Sequence, residues 1–336
     1  MNEGPLQVAL VEAFTEAPLG GNGAGVVLLS EPAGPAWMQA LAARLNQSET
    51  AFLWRDTDGA WRLRWFTPSC EVPLCGHATL AAVLALGHWG QLGVGEELAL
   101  HSRSGPLAGR LESLAPASAR IVLPSSGLES QPVPPYLAQL LGEAPLAYWR
   151  SPLGYRVALM ADPFDLAALP LPSDQLRGQD RQGLVVMQAL VPNPTPGPNP
   201  TPGPVQNLGP VENLGPNEVC GPSTPASAAP PWPANGPQVL GRPAHYQLRF
   251  FAPGLGIAED PVTGSAHALV APYWQERLAQ MSVVGWQPSP SPGGMVCTAA
   301  ADGLMALTGR GHLLWDGSLA GGSCAPDLAN WTVCAP

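Results

Sequence analysis

The chain has 336 residues, long enough to bury a large core and to divide into two domains. Hydrophobic residues make up 46% and charged residues 12%, which excludes a disordered chain, and a formal net charge of -10 argues against a nucleic-acid or anionic-membrane surface. All 15 basic residues are arginine, so the sequence offers neither a Schiff-base lysine for pyridoxal phosphate nor the lysine of a phosphate-binding P-loop.

The opening, MNEGPLQVALVEAF, lacks the basic-then-apolar pattern of a secretory signal, and no apolar run approaches the length of a bilayer span. Residues 6–15 read as a first strand. Pro35 to Leu45 places Trp37, Met38, Leu41, Ala42 and Leu45 on one helical face with proline in the first turn, which predicts a helix. SETAFLW (48–54) reads as a strand, Asp56-Thr57-Asp58-Gly59 as a turn, and AWRLRWF (60–66) as the returning strand of a hairpin. Ala78 to Leu86 is apolar on nearly every side, the pattern of a helix surrounded by protein.

Residues 192–243 change character. They are dense in proline and glycine, with NPTPGP twice in succession and then QNLGPV and ENLGPN, and show no helical or strand period. They are expected to form an exposed, disordered insertion; a proline-rich ligand for a partner is the alternative. A second apolar helix is expected from about Ser265 to Trp274, with Pro272 near its end, and residues 318–336 form a tail without pattern. The six cysteines (Cys70, Cys75, Cys220, Cys297, Cys324 and Cys334) show no metal-ligand spacing, since Cys75 and His77 are too close for a recognised pair. No metal site is therefore expected, and a reducing cytoplasmic setting is the simplest reading.

The strongest feature is an internal repeat. LRWFTP (63–68) followed by EVPLCGHATLA (71–81) matches LRFFAP (248–253) followed by EDPVTGSAHAL (259–269). In each copy a strand ends at aromatic-x-Pro, an acidic loop follows, and glycine opens an apolar helix. A duplicated chain packs most simply as two similar halves face to face, with both helix starts at the seam. Their free N–H groups and dipoles would favour a small anion there, and Gly76 and Gly264 would let it approach the backbone.

NQSETAFL (46–53), FTPSCEVPLCGHATLA (66–81) and GIAEDPVTGSAHA (256–268), together with VEAFTEAPLGGNGAGVV (11–27), resemble the PhzF (phenazine biosynthesis-like) isomerase family, which shares its fold with diaminopimelate epimerase and proline racemase. The resemblance covers most of the chain outside 192–243 and the tail. It implies an α+β fold of two pseudo-symmetric domains, each a curved, mostly antiparallel sheet or barrel around a central helix, with the active site in the cleft between them. The expected division is residues 1–125, residues 126–317 carrying the insertion, and a tail from 318 to 336. The resemblance further implies proton-shift isomerisation without metal or organic cofactor. By motif position, Glu49 would be the general acid/base, and His77, Asp260 and Ser265 would line the substrate and relay or orient protons. Two positions depart from the family pattern: Asn22 is followed by Gly23 where proline is usual, and Pro292-Gly293-Gly294 stands for arginine-glycine-glycine.

The residues carry their own chemistry beside the resemblance. A base that removes a proton from carbon needs a pKa raised toward the working pH, and the apolar run after Glu49 offers burial to raise it. His77 sits at a helix start, which favours neutral imidazole. Cys75 and Thr263 occupy the helix starts where the racemase relatives carry two cysteines, so two-cysteine racemisation is disfavoured; a helix start would lower the Cys75 thiol pKa, although a small packed residue is the simpler reading. Gly76, Gly264, Cys75 and Thr263 are the candidate substrate-binding positions. Helix or loop stabilisation remains open for Asp260 and Ser265, and domain stabilisation for Glu71 and Glu259. The expected partner is a small anionic metabolite, and a homodimer is left open; no nucleic-acid or membrane partner is expected. Three functions stay open: an isomerase working through Glu49, a binding protein that kept the cleft without the chemistry, and an epimerase or racemase.

Overall fold

The computed structural model describes residues 6–152, 154–170, 176, 183–190, 236–253, 257–301 and 303–319. The first half runs β1 (Leu6–Ala13), β2 (Asn22–Leu28), α1 (Pro35–Leu45), β3 (Glu49–Arg55), β4 (Trp61–Phe66), β5 (Glu71–Val72), α2 (Gly76–His88), β6 (Glu97–Ser102), β7 (Gly105–Leu114) and β8 (Ala117–Pro124). After β9 (Glu129–Gln131) and α3 (Pro135–Leu141) come β10 (Ala147–Arg150), β11 (Arg156–Leu159), β12 (Leu184–Ala189), β13 (Gln238–Val239) and β14 (Arg242–Pro243). The chain ends with β15 (Tyr246–Ala252), β16 (Ile257–Asp260), α4 (Gly264–Leu278), β17 (Ser282–Gln287), β18 (Gly293–Ala299) and β19 (Leu304–Leu319).

The fold is α+β, and its two halves are wired alike. In the first, β2 pairs parallel with β3, β3 antiparallel with β4, β4 parallel with β6, and β6, β7 and β8 antiparallel in turn. In the second, β11 pairs parallel with β12, β12 antiparallel with β15, β15 parallel with β17, and β17, β18 and β19 antiparallel in turn. The likeness extends to single residues. Phe66 lies opposite Thr50 and Trp61 opposite Leu100; Phe251 lies opposite Leu184 and Tyr246 opposite Gly285. Since the repeat equates Phe66 with Phe251, and hence Trp61 with Tyr246, the strand registers of the two halves coincide. The long β19 joins them, pairing with β8 through Leu304–Arg310 and with β1 from Gly311 onward.

Each half wraps its helix. Every residue of α2 from Gly76 to Gly87 is buried, as its all-round apolar sequence demands. Buried Leu80 and Leu86 each contribute on the order of 1.5–3 kcal/mol of hydrophobic stabilisation. The second helix, α4, is buried from Gly264 to Ala271 except at Ser265, and again at Trp274. It does not stop near Pro272 as the sequence predicts but continues to Leu278. A proline inside a helix leaves the carbonyl four residues earlier without its donor. Here Ser125 Oγ, at the end of β8, donates to Ala268 O at 2.7 Å and fills that place.

Predicted α1 matches in both bounds, and β1, β3 and β4 match to within two residues. Two boundaries need correction. The proline- and glycine-rich stretch read as reaching 243 ends in the packed pair β13–β14, where Val239 is fully buried against Val284, Trp286 and Val296. Its single apolar residue per strand carries too little pattern to be seen in sequence. Residues 191–235, most of that stretch, lie outside the described residues. The tail read as starting at 318 begins later, because Ser318 and Leu319 still pair with Gln7 and Leu6. Among the described residues no helix is long and apolar enough to cross a membrane. Cys70 is disulfide-bonded, which departs from the expectation of wholly reduced thiols.

Candidate active site

The two helix starts meet at the seam. Cys75 and Thr263 are the N-caps of α2 and α4, both in extended conformation and neither making a side-chain cap. A Cβ placed on Gly76 would lie 3.3 Å from the Gly264 Cα, and one on Gly264 would lie 3.4 Å from the Gly76 Cα. Glycine at both positions is thus what lets the backbones come so close.

Four strand or helix starts deliver the polar groups. Glu49 opens β3 and His77 is the second residue of α2, and Glu49 Oε2 sits 3.1 Å from His77 Nε2 with side chains only 12% and 5% exposed. Cys75 Sγ lies 3.5 Å from His77 Nδ1 and 3.9 Å from Nε2. Asn22, opening β2, is the hub. Its Nδ2 lies 3.1 Å from His77 Nδ1, 2.6 Å from Asp260 Oδ1 and 3.2 Å from the Val262 carbonyl, and its Oδ1 accepts from Ser48 Oγ at 3.0 Å. Ser48 Oγ also lies 3.2 Å from His77 Nε2. On the other side Thr263 Oγ1 donates to Asp260 Oδ2 at 2.6 Å, while Gln287 accepts from Thr263 N at 2.9 Å and donates to the Asp260 carbonyl. Ser265, at the place in α4 that His77 holds in α2, lies 3.2 Å from the phenol oxygen of Tyr155.

Glu49, Cys75, His77, Asp260 and Thr263 therefore share one network, and Gly76 and Gly264 face each other beside it. Ser265 pairs with Tyr155 instead. Asn22, Ser48, Tyr155 and Gln287 escaped the sequence reading as site residues. Asn22 stood in the glycine-asparagine segment that carries the resemblance, the one signal that could have found it. Ser48 likewise stood beside Glu49 in the NQSETAFL segment, while Tyr155 and Gln287 act through contacts that no local pattern announces.

The electrostatics revise three expectations. Burial pushes the Glu49 pKa up, but the hydrogen bond and charge of His77 outweigh it and hold the carboxyl below the usual range, not above it. Burial opposes charge on His77, yet Cys75 and Glu49 beside it raise its pKa well above that of free imidazole, against the expected neutral ring. Burial, aided by the Glu49 charge, pushes the Cys75 thiol up to about 11, so the helix start does not make it a thiolate. Burial also raises Asp260, despite His77 nearby. The result is an ionised Glu49 paired with His77, with a neutral thiol on one side and an Asp260 that holds its proton more readily than a free carboxyl. Glu49, Cys75 and His77 offer three ligand atoms within 4.8 Å of one another, a donor set able to hold a metal ion. Sequence spacing hid it because Glu49 comes from a different strand.

The site is asymmetric although the fold is not. Thr50 and Leu184 are equivalent by register, so the counterpart of Glu49 is Gly183. A Cβ at Gly183 would fall 2.0 Å from the Phe250 ring, so that ring fills the place of a second carboxylate. The cavity of about 820 Å³ between Trp149, Tyr273, Met281 and Leu304 has none of these site residues in its lining.

A duplicated half wrapped around a buried helix, with its polar cluster where two helix starts meet, defines the architecture of the two-domain epimerase-like proteins. A probable proline racemase from Agrobacterium radiobacter shares that fold, with a TM-score of 0.54 at 11% identity over 94% of this chain and 93% of its own. A PhzF-family crystal structure from Enterococcus faecalis superposes with a TM-score of 0.71 at 27% identity over 94% of this chain and 99% of that one. A Pseudomonas aeruginosa protein named an uncharacterized isomerase is 32% identical over 94% of this chain and 98% of its own length. The profile of the phenazine biosynthesis-like (PhzC-PhzF) family matches residues 11–122 and 225–306, and the chain belongs to that family.

Proposed function

We propose that the chain is a cofactor-independent isomerase that shifts a proton within a small carboxylate-bearing metabolite, with Glu49 as the general acid/base. The observation that carries this reading is the buried Glu49–His77 pair at the seam, with Gly183 where a second base would stand. The names of the relatives, isomerase and PhzF family, support it. The reading takes residues 1–125 and 126–319, with the second bound moved to the end of β19, as the two domains that enclose the site.

The steps balance on one carboxylate. Glu49, ionised at rest, takes a proton from a substrate carbon. The electron pair left behind spreads through an adjacent unsaturated system toward the substrate carboxylate. The N–H groups at the starts of α2 and α4 stabilise that negative charge. Glu49 then returns the proton to a second carbon on the same face, and the double bond has moved. His77 orients the Glu49 carboxylate and matches its charge. Asp260, fixed through both oxygens by Asn22 and Thr263, lines the substrate and helps to relay or orient protons, and Ser265 with Tyr155 supplies hydroxyls for orientation. Epimerisation needs acid/base groups on two opposite faces. Thr263 cannot serve as the second, and Gly183 has no side chain to offer.

The test is to incubate cyclic and unsaturated carboxylates with the protein in deuterium oxide. Incorporation of deuterium with migration of a double bond supports the isomerase. Binding of a carboxylate without exchange favours the binding-protein alternative, and deuterium at an inverted centre favours an epimerase.

A further inference from the structure

We propose that Glu49, Cys75 and His77 form a site for a zinc-class divalent cation, and that such a cation, when bound, blocks the proton chemistry of Glu49. A tetrahedral zinc ion with Zn–O and Zn–N near 2.0 Å and Zn–S near 2.3 Å separates its ligand atoms by about 3.3 Å for nitrogen and oxygen and about 3.6 Å for nitrogen and sulfur. The structure has 3.1 Å between His77 Nε2 and Glu49 Oε2, and 3.9 Å between His77 Nε2 and Cys75 Sγ. All three ligand atoms fall within 4.8 Å of one another.

The donors come from two elements fixed independently. Cys75 and His77 flank the start of α2, whose next eleven residues are buried in the first half. Glu49 is fixed by the parallel pairing of β3 with β2. The backbone positions of the donors are thus fixed; a cation on Nε2 displaces the Ser48 contact at 3.2 Å and turns the Cys75 thiol, which lies 3.5 Å from Nδ1 and 3.9 Å from Nε2, off the His77 ring. A carboxylate, an imidazole and a thiolate match zinc and cobalt better than magnesium or calcium, which prefer oxygen alone. Three protein ligands leave a fourth position open at the seam. On binding, the Cys75 thiol and the His77 imidazolium each lose a proton to solvent as the Sγ–metal and Nε2–metal bonds form, with no change of oxidation state. The metal then holds the Glu49 oxygen that would take the substrate proton. Only this last step rests on the proposed function; binding does not.

Cobalt(II) reports the site directly. The full chain, stripped by chelator, is titrated with cobalt(II) and then with zinc(II). The expected result is a thiolate-to-cobalt charge-transfer band in the near ultraviolet that saturates at one ion per chain and is erased by zinc. Cys75→Ala should remove the band while the other cysteines stay in place. His77→Gln, which keeps the thiol, should weaken cobalt binding at least tenfold, and circular dichroism establishes that both variants are folded. If one variant fails to fold, the other decides. Absence of the band, a band that survives Cys75→Ala, or unaltered affinity in His77→Gln overturns the proposal. Solvent exchange that is unaffected by saturating zinc, in a chain that shows the band, overturns the blocking step alone.

Discussion

A buried ionisable group is tolerated when its partner makes the charged or the neutral state favourable, and the site uses both solutions. Glu49 and His77 meet this need as a pair. His267, on α4, meets it by staying neutral: burial depresses its pKa to about 3, and its Nδ1 lies 2.9 Å from the phenol oxygen of Tyr246, which in turn lies 3.7 Å from Cys297 Sγ. The sign of the pH effect follows. The folded pKa lies below the unfolded value, so the unfolded chain binds the extra proton first and stability falls as pH drops from about 6.5 toward 3. One such group contributes a slope of about 1.4 kcal/mol per pH unit across that window. His267→Gln, which retains a partner for Tyr246 and cannot charge, should flatten the loss of stability between about pH 6 and 4, measured by urea unfolding. Equal slopes in parent and variant would mean that His267 does not titrate on unfolding. At this scale the sequence showed Glu49, His77 and Asp260, because each lies inside a motif. Tyr155 and Gln287 were hidden because side chains that work across 110 and 24 residues leave no local period, whereas Asn22 lay inside a matched segment and only its reach of 55 residues to His77 was hidden.

Elements are held to the seam by a device that the repeat carries twice. Arg64 on β4 makes two bonds of 2.8 Å to Glu71 on β5, and Arg249 on β15 makes bonds of 2.6 and 2.7 Å to Glu259 on β16. Each guanidinium also lies over the aromatic residue two positions on, 5.1 Å from Phe66 and 4.9 Å from Phe251. These pairs clamp the acidic loop to its strand just before each helix begins. Glu71 and Glu259, matched in sequence without an assigned partner, thus have a structural task. Both pairs are buried, so removing one partner strands a charge and costs about 3–5 kcal/mol, whereas replacing both by apolar residues of similar size costs far less. Glu71→Leu should therefore lower the midpoint of thermal unfolding sharply, and Arg64→Met with Glu71→Leu should recover most of the loss. An additive double variant would show that the ion pair is not what holds this loop. Helix α1 was legible because its apolar period and leading proline agree. The extension of α4 past Pro272 was not, because Ser125, which takes up the freed carbonyl, lies 143 residues away.

Across the whole molecule, duplication explains both the symmetry of the frame and the asymmetry of the chemistry. Matched strands bring two helix starts together, and divergence then leaves Glu49 on one side and Gly183 on the other. The central stretch fits this frame as an excursion with adjoining ends. Ala189 still pairs with Tyr246, Leu190 N donates to His245 O at 2.9 Å, and Ala244 N donates to Pro237 O at 2.8 Å. Its composition offers no apolar period to bury. Replacing residues 192–235 by a short glycine-serine turn should leave thermal unfolding within a few degrees of the parent. Extending the deletion through 243 removes Val239 and the Leu240 N–H that donates to Glu16 at 2.8 Å, and should destabilise the fold by about 2–4 kcal/mol. Equal stability of the two deletions would contradict the packing assigned to β13–β14. Sequence composition located the excursion, while its end depended on one buried valine that composition cannot show.

The central claim is that Glu49 carries the proton, and solvent exchange in deuterium oxide with the Glu49→Gln variant tests it most directly. Glutamine keeps the size and much of the hydrogen bonding of Glu49 but has no site for a transferable proton. With a carboxylate that the parent isomerises, Glu49→Gln should lower deuterium incorporation by roughly 10²–10⁴-fold while leaving the affinity for that carboxylate near the parent value. Exchange at the parent rate in a folded Glu49→Gln protein would contradict the account.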